Sequence, residues 1–224
     1  MGTVIGELLP LAVAVAISPI PVIAVILMLL APEATATGAG FCVGWVAGIV
    51  AATVLFTVLT AVLDLGGAGG SSTVVAWVKL ALGVLLLALS VRQWRSRPGP
   101  GEEPVTPGWM RAVDRFTPPK AFGLGFALAA VNPKNLAMCV SAGATIGTAS
   151  STAGASAVAV AVFTLVAAAT VAGPVLGYAV AADRLRGALD RLKVWLSANN
   201  AAVMSVLLLV IGAVLLGKGI GGLA

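Results

Sequence analysis

Lys134 stands in the run Asn132-Pro133-Lys134-Asn135, about halfway along an otherwise apolar stretch. A lysine at the centre of a bilayer costs roughly 2.5–3.5 kcal/mol on insertion scales, so such a residue must face protein or water rather than acyl chains. Its ammonium attracts a carboxylate, phosphate or sulfate, and the flanking amides of Asn132 and Asn135 add donors and acceptors that also need partners at that depth. A structural alternative stays open, in which Lys134 snorkels or bonds carbonyls freed by Pro133. The matching run in the first half is Ser18-Pro19-Ile20-Pro21, again mid-stretch. Proline lacks the backbone donor and clashes with the carbonyl four residues earlier, so both runs should break or kink their helices. A half-helix starting after each break would aim its N-terminal amides and partial positive charge toward the centre, an environment suited to an anion.

The elements that position these residues follow from composition. The chain has 224 residues, 60% hydrophobic and only 9% charged, with no His. A soluble domain carries roughly 25% charged residues, so lipid must be the solvent for most of this chain. Without His, Ser-His-Asp chemistry and most zinc hydrolysis are excluded. The acids Glu7, Glu33 and Asp64 fall toward the ends of apolar stretches. No metal centre, cofactor, enzymatic activity or nucleic-acid partner is expected, and no Walker A motif is present for ATP hydrolysis.

Apolar stretches long enough to cross a bilayer run approximately over 5–31, 38–63, 73–93, 120–148, 153–181 and 198–217, six in all. The expected fold is therefore an all-α integral membrane protein. A first half over 1–93 and a second over 120–224 flank a linker at 94–119. Arg92, Arg95, Arg97, Arg111, Arg115 and Lys120 cluster in and beside that linker, and Arg184, Arg186, Arg191 and Lys193 in the fifth connection. Both basic connections should face the cytoplasm, which places both termini outside and makes the net charge of +5 a record of orientation. Three spans per half put the halves in opposite orientations, the inverted topology of secondary transporters with midplane sites, the first and fourth helices being the broken ones. Met1–Glu7 has no basic segment, so the first stretch reads as a retained span of a multi-pass inner-membrane protein.

Trp109, Val113 and Phe116 in the linker, and Leu185, Leu189, Leu192 and Leu196 in the fifth connection, recur at helical spacing and suit helices lying along the headgroup layer. Gly40, Gly44 and Gly48 form a small-residue ridge that serves either packing within the chain or a homodimer. Gly173-Pro174 with Gly177 marks a further kink, either a hinge or an accommodation of packing. Lys79, within the third stretch near its outer end, snorkels or joins an outer vestibule. Cys42 and Cys139 lie at mismatched depths, which favours packing over a redox pair.

Six spans with Ser18-Pro19-Ile20-Pro21 in the first and Asn132-Pro133-Lys134-Asn135 in the fourth resemble the lysine-exporter superfamily. Asp114, Pro118, Ala121-Phe122-Gly123 and Asn132-Pro133-Lys134-Asn135-Leu136 are similar to its actinobacterial branch of sulfolipid- or glycopeptidolipid-addressing proteins. The resemblance implies an exporter that moves a cell-envelope lipid or glycolipid outward, working alongside cell-envelope biosynthesis or export machinery, and the central cation of Lys134 favours an anionic or zwitterionic one. It makes Ser18, Asn132, Lys134 and Asn135 the substrate-binding candidates. Pro19, Pro21 and Pro133 become helix breaks or gates, and Gly173 and Pro174 join them on the strength of the kink that their residue types mark. Export of small amino-acid-like solutes, a noncatalytic accessory role and a thiol-redox carrier are the alternatives.

Overall fold

A computed structural model describes residues 2–63, 71–97, 113, 116–149 and 152–223, and every regular element among them is helical. The order is α1 (Gly2–Ala16), α2 (Pro19–Leu30), α3 (Ala34–Val62), α4 (Ser71–Arg95), α5 (Pro118–Ala130), α6 (Pro133–Ala149) and α7 (Ala153–Gly221). The apolar stretch at 5–31 is thus two helices, as is the stretch at 120–148. In both cases the second helix opens on the proline, at the first helical position, where a missing N–H costs nothing. α1 and α2 meet at 53°.

Among the described residues three helices, α3, α4 and α7, are long and apolar enough to cross a membrane, and the bent pair α1–α2 together would be a fourth. α5 and α6, with 13 and 17 residues, are each shorter than the about 20 residues a span requires. α7 has 69 residues, about 100 Å if straight, more than three times the thickness of a hydrocarbon core. It is not straight. Ala181 leaves the helical region at φ −146° and ψ 52°, and on either side of it Arg186 donates to the Tyr178 hydroxyl at 2.8 Å. The kink at Ala181 divides α7 into two arms, 153–180 and 182–221, which this hydrogen bond ties together across the bend. The break is therefore at an alanine. The helix passes through Gly173 and Pro174 without leaving helical geometry.

The helices pack in a cross-linked way. The ridge Gly40, Gly44 and Gly48 lies directly on α5: a Cβ at Gly40 would come within 2.7 Å of the Pro118 carbonyl, and one at Gly48 within 2.8 Å of that of Phe126. Farther along, Gly143 and Gly147 of α6 abut Thr53, Thr57 and Thr60 of α3. Numbers rise together on both sides, so α3 runs parallel to α5 and α6. α4 runs antiparallel to the second arm of α7, with Gly219 against Leu80, Gly212 against Gly83 and Leu87, and Ser90 donating to the Ser205 carbonyl at 2.7 Å. α1 and α2 pack on α7 and α1 also on α6. Small residues allow this close approach where no hydrophobic force separates protein from lipid.

The leucines of the fifth connection lie on α7's second arm: Leu189 and Leu196 are buried and Leu192 is exposed. Of the linker's apolar residues, Val113 is buried, whereas Trp109 falls outside the described residues, as does Asp114.

Candidate functional site

The two proline runs meet. α1 stops at Ala16: the Ser18 N–H turns to the Ala16 carbonyl at 2.9 Å and so leaves that of Ala14 without its helical partner, and Pro21 has no N–H to offer the Ile17 carbonyl. Lys134, the second residue of α6, fills that gap. Its ammonium donates to the Ala14 carbonyl at 2.7 Å, to the Ile17 carbonyl at 3.3 Å and to the Ser18 hydroxyl. Three donors meet three acceptors, and the residue is only 2% exposed. The cation also sits at the negative end of the α1 dipole. The Ala16 carbonyl is taken from the other side by the Thr170 hydroxyl of α7 at 2.6 Å.

Ser18 is the junction. While accepting from Lys134 it donates to Oδ1 of Asn135 at 3.0 Å, and Asn135 in turn donates through Nδ2 to the Leu128 carbonyl of α5 at 2.9 Å. Ser18 and Asn135 are both buried. One connected set of bonds thus links α1, the Ser18 corner, α6 and α5, and every break in it is tied to the other half of the chain.

Asn132 does something different. Its Oδ1 accepts from the Lys134 backbone N–H at 3.0 Å, and its carbonyl accepts from the Leu136 N–H at 2.8 Å, which makes it the N-cap of α6. The proline breaks also present a different backbone group from the one their spacing suggests. Pro19, Pro21 and Pro133 remove amides from the starts of α2 and α6, and Asn132 occupies a further one. The groups left free are the carbonyls ending α1, which call for a cation, and Lys134 supplies it. Thr170 carries no motif in the sequence. Only its helical register relative to Ala16 could have singled it out.

Of the remaining candidates, Gly173 and Pro174 lie on α7 beyond Thr170, and no bond joins them to this network among the described residues. Lys79 is half-buried on α4, and Glu7 pairs with Lys218 at 3.3 Å between α1 and the end of α7. Cys42 and Cys139 are both free thiols. With Gly143 against Thr53 in a parallel register, Cys139 lies level with the middle of α3, roughly 10 Å along the axis from Cys42. That exceeds the about 7 Å limit on Cα separation for a disulfide. Among the described residues no group of acids, thiols or imidazoles could hold a metal ion.

Neither the curated proteins nor the solved structures compared with the chain gave a match. A family model does match, that of "Sap, sulfolipid-1-addressing protein", over residues 8–221. That match includes both proline runs and every residue of the bonded set, so the chain belongs to the sulfolipid-1-addressing protein family.

Proposed function

We propose that this membrane protein translocates an anionic or zwitterionic cell-envelope lipid or glycolipid, with Lys134 receiving the charged headgroup near mid-membrane. The observation that carries the reading is the buried ammonium of Lys134, held by the carbonyls and the serine of the opposite helix break. An ammonium in hydrocarbon is retained only where it has partners, and such residues mark substrate pathways by default. In this conformation all three donors are spent on the protein. A phosphate, sulfate or carboxylate headgroup replaces the Ile17 carbonyl first, since that bond is the longest, and Ser18 and Asn135 turn to the same headgroup.

The wider architecture is part of the proposal. α3 lies on α5–α6 as the first arm of α7 lies on α1–α2, and α4 pairs antiparallel with the second arm of α7. That exchange of equivalent neighbours supports six spans arranged as two inverted three-helix halves, as in lysine-exporter-type carriers. The basic connections support N-out and C-out placement in the inner membrane. The chain acts as a carrier rather than an enzyme, and the broken helices allow access to alternate between the two faces. Export of a small amino-acid-like solute would use the same cation. An apolar furrow between the second half of α3 and the start of α7 favours a lipid.

The test is translocation of a fluorescent anionic phospholipid in proteoliposomes. The wild-type protein moves it between leaflets, Lys134→Ala does not, and Lys134→Arg retains part of the rate. Wild-type transport by Lys134→Ala would overturn the reading.

A further inference from the structure

Between the second half of α3 and the start of α7 runs a furrow of about 830 Å³, within the roughly 300–1,000 Å³ typical of ligand pockets. Val50, Val54 and Val58 form one wall and Val160, Ala161 and Leu165 the other. Val54 is 40% and Leu165 73% exposed. α3 and α7 are membrane-spanning by length and composition, so the medium at this opening is hydrocarbon. The lining carries no charged residue. It does carry one unsatisfied polar group: Thr164 is 7% exposed, and its hydroxyl has no hydrogen-bond partner. Buried hydroxyls at lipid depth ordinarily find an acceptor, usually a carbonyl of their own helix, as Thr57 does across the furrow by donating to the Thr53 carbonyl at 2.8 Å.

The position along the membrane normal matters. Thr170 is bonded to Ala16 beside Lys134, and Thr164 precedes it by six residues, about 9 Å of helix. From Thr164 to the start of α7 at Ala153 is a further 11 residues, about 17 Å. Along the membrane normal, a headgroup at Lys134, an ester carbonyl near Thr164 and a hydrocarbon chain along Val50–Leu165 therefore come in the order a lipid carries them.

We infer that this furrow holds one acyl chain of the transported lipid, with the Thr164 hydroxyl donating to its ester carbonyl, before the lipid has turned over. The orientation follows from the order of the parts. A lipid drawn from the leaflet at the opposite end, where α3 begins and α7 bends, points its chains toward the furrow. Raising it until its headgroup reaches Lys134 fills the furrow without rotation. The inference rests on the translocation reading for the identity of the lipid, but occupancy of the furrow is measured separately.

The probe is phosphatidylglycerol with a photoactivatable diazirine in its acyl chain, reconstituted with the full chain and mapped by peptide mass spectrometry. Wild-type labelling concentrates on residues 50–61 and 153–165. Ala161→Trp displaces buried methylenes and lowers that labelling about tenfold. Val206→Trp, on an exposed site of the second arm, leaves it unchanged. Thr164→Val keeps the shape and lowers labelling by the ester-linked probe about threefold, but not by an ether-linked one, which has no carbonyl to accept. Labelling spread evenly over lipid-facing residues and insensitive to Ala161→Trp would overturn the inference, as would crosslinks through this face to a second copy of the chain. Lys134→Ala reports on the other reading: furrow labelling with undiminished transport in that variant removes the lysine and leaves the furrow standing.

Discussion

Ser18→Ala should destabilise this protein more than Lys134→Met does, although the serine is the smaller and neutral partner. Removing the hydroxyl leaves one N–H of the Lys134 ammonium and the Oδ1 of Asn135 without partners, both fully enclosed. A buried unsatisfied group costs about 1–3 kcal/mol, more when charged, and interhelical bonds in membranes average about 0.6 with a maximum near 1.7. Two groups, one of them ionic, put Ser18→Ala at about 2–4 kcal/mol. Lys134→Met loses three bonds but also takes an ammonium out of hydrocarbon, a relief of roughly 2.5–3.5 kcal/mol. The two carbonyls it leaves, those of Ala14 and Ile17, each lose one bond, at about 0.6 kcal/mol apiece for interhelical bonds in membranes. The net change is within about 1–2 kcal/mol, in line with buried charges replaced by apolar groups of similar volume. The assay is reversible unfolding of the purified protein in mixed micelles against increasing denaturing detergent, with the Ser18→Ala, Asn135→Leu double-mutant cycle isolating the pair. If Ser18→Ala matched wild type, or Lys134→Met proved the more damaging by 2 kcal/mol or more, the assigned bonding pattern would be wrong.

Gly44→Leu should abolish the native fold, because even a Cβ there meets the Phe122 backbone inside contact distance; retained melting behaviour would contradict the α3–α5 contact. Asn132→Ala should cost about 1 kcal/mol, and Asn132→Asp or Asn132→Ser should restore it, because an N-cap needs only a side-chain oxygen. If Asn132→Asp instead melts like Asn132→Ala, capping is not what this residue does. Changing both Cys42 and Cys139 to Ser should leave translocation rates at the wild-type level, measured in the same proteoliposomes.

Much of the helical layout was legible because proline and charge punctuate it. Ser18-Pro19-Ile20-Pro21 and Asn132-Pro133-Lys134-Asn135 mark helix boundaries within a residue or two, since proline sits well only in a helix's first turn. What joined these runs was not legible. Whether Lys134 reaches Ser18 or lipid depends on the rotation of α6 about its axis, and one sequence does not report that. The direction of the backbone groups was also hidden. Prolines that look as though they free amides instead delete them and leave carbonyls, which reverses the sign of charge the break attracts. The bend of α7 shows the opposite failure. Gly173-Pro174 carries the sequence signal for a break, yet the helix continues past it and turns at Ala181, where tertiary packing and the pairing of Tyr178 with Arg186 outweigh local propensity. The glycine ridge of α3 was visible as a packing surface, and α5, its partner within the chain, was not.

In translocation the Lys134 ammonium would exchange its protein acceptors for a lipid headgroup. Solid-state NMR on protein with 15N-labelled lysine side chains, reconstituted in phosphatidylglycerol, measures that contact as magnetisation transfer from 15N to the headgroup 31P. The expected result is a transfer signal that disappears in Lys134→Met and persists in variants of the other lysines. A Lys134 resonance that shows no transfer to phosphorus, while transport of the same lipid proceeds, would contradict it.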